Sequence, residues 1–151
     1  MLKITRKIEY SLMALRHMAS KYQGELTTAK EVCDAYKTPF DVTSKVMQTM
    51  AHKGLLKSEQ GAHGGYLILK DLSKFSLYEL IQMVEGPVAI VKCLNAGPNT
   101  CELSHSCNIV SPVNTLNEKL VDFYRSLPVI DLIEPGGGKH RARVSRVAVP
   151  S

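Results

Sequence analysis

Three cysteines stand within fifteen residues of one another in this 151-residue chain, as Cys93-x7-Cys101-x5-Cys107. Thiolates are soft ligands, suited to iron-sulfur clusters or zinc. The stretch around them, Cys93 to Cys107, is rich in Asn, Gly, Pro, Ser and Thr. Such a composition argues for a loop, and a loop can bend each sulfur inward. Spacings of seven and five do not match the Cys-x2-Cys knuckles typical of structural zinc, which counts against that metal. Three thiolates are one short of a closed site, and His105, Asn108 and Glu102 are the local candidates for a fourth ligand. Two other readings compete. Cys101 or Cys107 could be a nucleophile with His105 as its base, but nothing nearby supplies an orienting acid. The three could also be plain thiols without a ligand. Cys33, set among Val32, Ala35 and Tyr36, reads as a small core residue of a helix.

The elements around the loop follow from hydrophobic spacing. Ile8, Leu12, Leu15, Met18 and Ala19 recur at three and four positions, one face of a first helix. Thr27-Thr28-Ala29-Lys30-Glu31 offers a threonine cap for a second helix, which runs to Ala35 or Tyr36. Lys37-Thr38-Pro39 is a turn, because proline resists continuing a helix. A third helix covers Phe40 to Lys53, with Val42, Val46, Met47 and Met50 inward and Gly54 as its stop. Two helices joined so closely make a helix-turn-helix. Leu55–Ser58 and Tyr66–Lys70 then flank Gly61-Ala62-His63-Gly64-Gly65, which reads as a glycine-permitted hairpin. A hairpin directly after a helix-turn-helix gives a winged helix.

Beyond the wing, Ser76–Glu85 forms a helix ended by Gly86-Pro87, and the apolar run Val88 to Lys92 packs on it. After the cysteine loop, a last helix begins at Ser111-Pro112, with serine as cap and proline in first position. Its apolar residues Val113, Leu116, Leu120, Phe123 and Leu127 repeat at alternating threes and fours, the period of a coiled-coil seam. Such a helix wants a partner, and a homodimer supplies one. The predicted class is mainly α with a small β wing: a winged helix-turn-helix plus a long C-terminal dimerisation helix. Its divisions are 1–75 for DNA binding, 76–133 for the cysteine loop and dimerisation helix, and 134–151 as a flexible basic tail.

Charge distribution agrees with that plan. Residues 1–75 carry 12 Lys or Arg against 7 Asp or Glu, residues 76–135 carry 3 against 7, and residues 136–151 carry 4 against none. A basic N-terminal half can face a polyanion such as DNA, releasing condensed counterions. No apolar run approaches the ~20 residues that span a bilayer, and no secretory core follows the basic start. A cytoplasmic protein is expected, with no membrane partner.

Ile4-Thr5 ahead of Tyr10, Lys53-Gly54-Leu55-Leu56, the wing Gly61-Ala62-His63-Gly64-Gly65-Tyr66, Glu85-Gly86-Pro87 and the triple cysteine together resemble the Rrf2 family of winged-helix repressors. The resemblance covers residues 1 to about 133, and includes the IscR and NsrR branches. Met1-Leu2-Lys3-Ile4-Thr5 and the wing are most similar to the branch that regulates the SUF system of cluster assembly. The resemblance implies a non-enzymatic homodimer that reads a palindromic operator in double-stranded DNA. It also implies an iron-sulfur cluster in each subunit, two-iron two-sulfur or four-iron four-sulfur. It assigns Phe40, Asp41, Val42, Ser44 and Lys45 to the recognition helix, and Gln60 and His63 to the wing. The IscR branch has a histidine three residues past its last cysteine, where this chain has Val110. The NsrR branch can recruit an acid from helix one of the partner subunit, and Glu9 matches that position. The implied ligands are thus Cys93, Cys101, Cys107 and Glu9 of the opposite subunit. The implied control is of iron-sulfur assembly genes, with nitric oxide or iron as alternative signals. A zinc or thiol redox sensor without a cluster is the alternative outside that scheme.

Overall fold

The computed structural model describes residues 4–91, 94, 101–103 and 105–134. Cys93 and residues 135–151, which make up nearly all of the expected tail, lie outside the described residues. Three helices open the chain: α1 (Arg6–Ala19), α2 (Ala29–Tyr36) and α3 (Phe40–His52). A hairpin of β1 (Leu56–Glu59) and β2 (Gly65–Ile68) follows, then α4 (Leu77–Glu85), α5 (Val110–Ser126) and α6 (Val129–Ile133). The molecule is mainly helical with one two-stranded antiparallel sheet, as the residue pattern predicts.

Helices α1 and α2 each start on a side-chain cap. Thr5 accepts from the Ile8 amide and Thr28 from the Glu31 amide, each satisfying an otherwise orphaned donor of a first turn. Ser76 and Glu79 complete a reciprocal capping box at α4. Between α2 and α3 the chain reverses through Lys37 in the left-handed region. The turn is fastened where the Thr43 hydroxyl donates to that of Thr38 at 2.9 Å, both buried. Thr43 therefore takes the inward place expected of Val42, which is only half-buried. Thr43, Val46, Met47 and Met50 form the stripe at three, four and seven positions, and Val42 falls on its flank.

Strand register pairs Leu56 with Ile68 and Glu59 with Gly65, leaving Gln60–Gly64 as the wing tip. Gly64 and Gly65 are there for want of space. A Cβ on Gly64 would lie 2.4 Å from the Glu59 carbonyl oxygen. One on Gly65, at φ +152°, would lie 2.9 Å from that of Thr27. The second approach arises because Thr27 and Tyr66 exchange backbone hydrogen bonds of 3.1 and 2.8 Å, which tie the wing to the start of α2.

One core unites these parts. Ile8 and Leu15 of α1, Val32 of α2, Met47 and Met50 of α3, and Leu56 and Ile68 of the wing meet Leu77 and Leu80 of α4 there. The same cluster contains Val129, Ile130 and Ile133 of α6, a helix the sequence pattern does not announce. Backbone bonds from Leu77 to Leu127, Val129 to Phe75 and Ile130 to Leu72 draw α6 back against the segment that leads into α4. Cys33 is half-buried and free, not enclosed as expected, because its neighbour Val32 points inward.

Helix α5 begins with Ile109 as N-cap, two residues ahead of the Ser111 cap expected, and Pro112 stands third in the helix. Proline is harmless there, since first-turn amides have no helical acceptor. The helix packs on α4 through Val121 and Tyr124, and the Arg125 guanidinium sits 4.5 Å from the Tyr78 ring centroid. Residues Val88–Ile90 lie along it, held where the Ile90 amide donates to Asn117 Oδ1 at 3.0 Å.

Candidate functional site

The outer face of α3 is exposed along the whole helix. Phe40 is 55% exposed at its first position, and Asp41, Lys45, Gln48 and His52 continue the face. Ser44 is half-buried and accepts from Gln48 Nε2 at 3.2 Å. Of the residues expected to read DNA, Phe40, Asp41, Ser44 and Lys45 share the N-terminal end of this ridge, and Val42 sits on its side. Gln60 and His63 are exposed on the wing tip, where Gln60 donates to the Ser58 hydroxyl at 3.3 Å. Phe40 and Gln60 line one cleft of about 370 Å³ together with Thr28 and Lys30 of α2, so helix and wing present a joined surface. Gln48 and His52 were missed, although their spacing of three and seven from Lys45 marks the same face.

A polar network ties α1 to α2. His17 of α1 reaches Glu31 of α2 through Nε2 at 3.0 Å and the Tyr36 hydroxyl through Nδ1 at 2.8 Å. Lys21 Nζ bonds both Glu31 oxygens, at 2.9 and 3.0 Å. Burial alone would raise the Glu31 pKa, but hydrogen bonds and charge from His17 and Lys21 outweigh it and hold the carboxyl below its ordinary 4.5.

Cys101 and Cys107 are half-buried free thiols on either side of a turn closed by the Ser106 amide on the Leu103 carbonyl, at 3.0 Å. Cys107 stands three residues before α5. His105 and Glu102 are exposed beside them. Among the described residues, no three His, Cys, Asp or Glu side chains converge as a metal site. The donors present are soft thiolates on a loop, which fits an iron-sulfur group, but the set in one chain's described residues is partial. Cys93 lies outside them. Glu9 is on α1, its side chain 43% exposed and paired with Arg6 at 2.9 Å.

Two further sequence motifs meet in space. The Thr5 hydroxyl donates to the Glu85 carboxylate, so Ile4-Thr5 and Glu85-Gly86-Pro87 form one junction between the start of α1 and the end of α4. Along α5, Leu116 and Phe123 are 51% and 56% exposed, while Val113, Leu120 and Leu127 are half-buried. No helix among the described residues is long and apolar enough to cross a membrane.

A three-helix unit with a winged hairpin and an exposed third helix is the architecture of a winged-helix DNA-binding regulator. The model of the Rrf2 family, described as iron-dependent transcriptional regulator, matches residues 4–135, and the chain belongs to that family. It is 28% identical over 130 residues to the transcriptional regulator NsrR of Bacillus subtilis, covering 86% of this chain and 85% of the relative. With NsrR of Shouchella clausii it shares 24% over 132 residues, 87% of this chain and 89% of the relative. Among solved structures, CymR, the global cysteine regulator of B. subtilis, superposes with a TM-score of 0.66 at 22% identity. That match covers 88% of this chain and 97% of CymR. IscR of T. potens superposes at 0.62 with 17% identity, covering 87% and 86%. These likenesses establish the fold, and its relatives are regulators of transcription.

Proposed function

We propose that the chain is a homodimeric repressor whose grip on a palindromic operator follows the state of an iron-sulfur cluster on Cys93, Cys101 and Cys107. The observation that supports this most is placement. The thiols of Cys101 and Cys107 lie on the loop that leads directly into α5, the helix with an unpartnered apolar seam, and α5 packs on α4 beside the α1–α3 junction. In this reading residues 1–75 bind DNA and 76–133 sense and pair, over a shared core. Phe40, Asp41, Ser44 and Lys45 enter the major groove with Val42 at its edge, while Gln60 and His63 meet phosphate or the minor groove.

A bound cluster would supply redox and nitric-oxide reactivity at sulfur-ligated iron. Cys101 and Cys107 hold the loop folded when engaged, and Glu9 of the opposite subunit would complete the set once released from Arg6. A folded loop fixes how α5 of one subunit meets the other's DNA-binding unit. That sets the distance between the two α3 helices, and the half-site spacing matches only one distance. Targets in iron-sulfur assembly, in the cytoplasm, suit such a sensor.

Cys101 and Cys107, half-buried free thiols on one turn, favour a second reading, a thiol sensor without a cluster. Anaerobic purification separates the two. Brown protein with stoichiometric iron and sulfide is expected, and a colourless protein that binds its operator equally well overturns the cluster. The Cys93→Ser, Cys101→Ser, Cys107→Ser variant should lose colour and bind operator at least tenfold differently.

A further inference from the structure

We propose that the cleft between α1, the flank of α3 from Val42 to its C-terminal end, and the end of α4 is a second phosphate-binding site, gripping the DNA strand opposite the one that meets the wing. This rests on the DNA-binding reading of α3 given above. Helix α3 stands as a ridge between two furrows. The wing-side furrow is the 370 Å³ cleft at Thr28 and Lys30. The other is larger, about 680 Å³, and its rim carries Lys7 of α1 with Lys45, Gln48, His52 and Lys53 of α3 over a floor that includes Val46.

The polar atoms of this second furrow are donors in excess. No carboxylate lines it. Lys21 and Lys57 each have an acid within 3.0 Å, whereas among the described residues Lys7, Lys45 and Lys53 have none within ion-pair distance. Three unpaired lysines on the rim of one furrow, with no carboxylate among its lining residues, give it a positive field that an anion would neutralise. The helix end nearest the site carries the negative pole of the α3 dipole, so its backbone cannot attract an anion. Side-chain cations must do so, and they are what the cleft presents. The imidazole of His52 can donate in either charge state.

DNA geometry identifies the anion as a phosphodiester. A helix with its side chains is about 10–12 Å across and the major groove about 12 Å wide, so a helix that fills the groove meets a phosphate wall on each side. The wing and α2 take one wall. Lys7 and Lys53 take the other. Both are exposed, and their contacts carry no sequence information.

The test uses full-length protein and a mixed-sequence duplex of about 30 base pairs, by fluorescence anisotropy over roughly 50 to 200 mM salt. Lys7→Gln/Lys53→Gln should flatten the slope of log affinity against log salt by about 0.9 for each lysine in each bound subunit. Lys119→Gln on α5 should leave the slope as in the wild type. The ratio of affinities between any two duplexes should not change in the double variant. If the wild type shows no salt-dependent binding, the DNA reading itself fails. A wild type that binds, with a double variant of equal slope and affinity, overturns only the second site. Thermal stabilisation of the wild type by millimolar inorganic phosphate, lost in a variant whose DNA slope is normal, also overturns it and makes the cleft a small-anion site.

Discussion

Gly64 and Glu31 show how single residues set the shape of the wing and the contact between α1 and α2. Because a methyl on Gly64 would press 2.4 Å from the Glu59 carbonyl, backbone on both sides must move. Gly64→Ala is expected to lose about 1–3 kcal/mol in urea unfolding, and to weaken DNA binding as the wing tip shifts Gln60 and His63. The run of glycines was readable as a hairpin, but the crowding was not, since it depends on where the Glu59 and Gly61 carbonyls come to rest. At Glu31 the folded pKa lies below the ordinary 4.5, so the unfolded chain binds the proton more readily. The brace therefore stabilises fully above about pH 4.5 and is lost as pH falls through the lower folded value. Comparing urea midpoints of wild type and Glu31→Gln, the advantage of the wild type should be complete near pH 6 and shrink below pH 4.5. Its size is modest, because the carboxylate is 38% exposed and partly screened.

At the scale of elements, α5 carries the strongest expectation. Of the seam read from its spacing, Leu116 and Phe123 face outward and Val113, Leu120 and Leu127 are half-buried, while the neighbouring Val121 and Tyr124 turn to the core. An exposed Leu and Phe one heptad apart on a helix match a self-complementary seam. Phe123→Glu places a charge in that seam, and the expected outcome in sedimentation is dimer for the wild type and monomer for the variant. Tm should change little, since Phe123 is 56% exposed in the single subunit. The seam was legible because a 3.5-residue period persists over four turns. Helix α6 was not, for a reason of length. Five residues after Pro128 show less than two turns of period, and what makes Val129–Ile133 helical and buried is pairing with Leu72 and Phe75, far away in the chain. The cysteines follow the same rule. Their types and spacing raise ligand chemistry as an expectation, whereas the furrow at Lys7 and Lys53 exists only once α1 packs on α3.

For the molecule as a whole, α6 decides whether the cysteine loop with α5 and the winged-helix unit can behave as separate parts. Ile130 is 2% exposed and sits in one cluster with Leu15 of α1, Met50 of α3 and Leu56 of the wing. A strain at the cysteine loop thus has a short mechanical route to the recognition helix: along α5, into α6, and through the core. Truncating Ile130 to Ala removes packing shared by both halves and should cost about 2–5 kcal/mol, the range for emptying a large aliphatic site in a core. If the core is a single cooperative unit, circular dichroism at 222 nm and tyrosine fluorescence will report one coincident transition in both proteins, moved to lower urea in the variant with the same slope. Six tyrosines, from Tyr10 to Tyr124, span the chain for that purpose. Two separated transitions would mean that residues 1–75 fold without α6. In that case the coupling would have to pass through the Thr5–Glu85 junction, where α4 meets α1, and Glu85→Gln would be the variant that uncouples operator binding from the state of the loop.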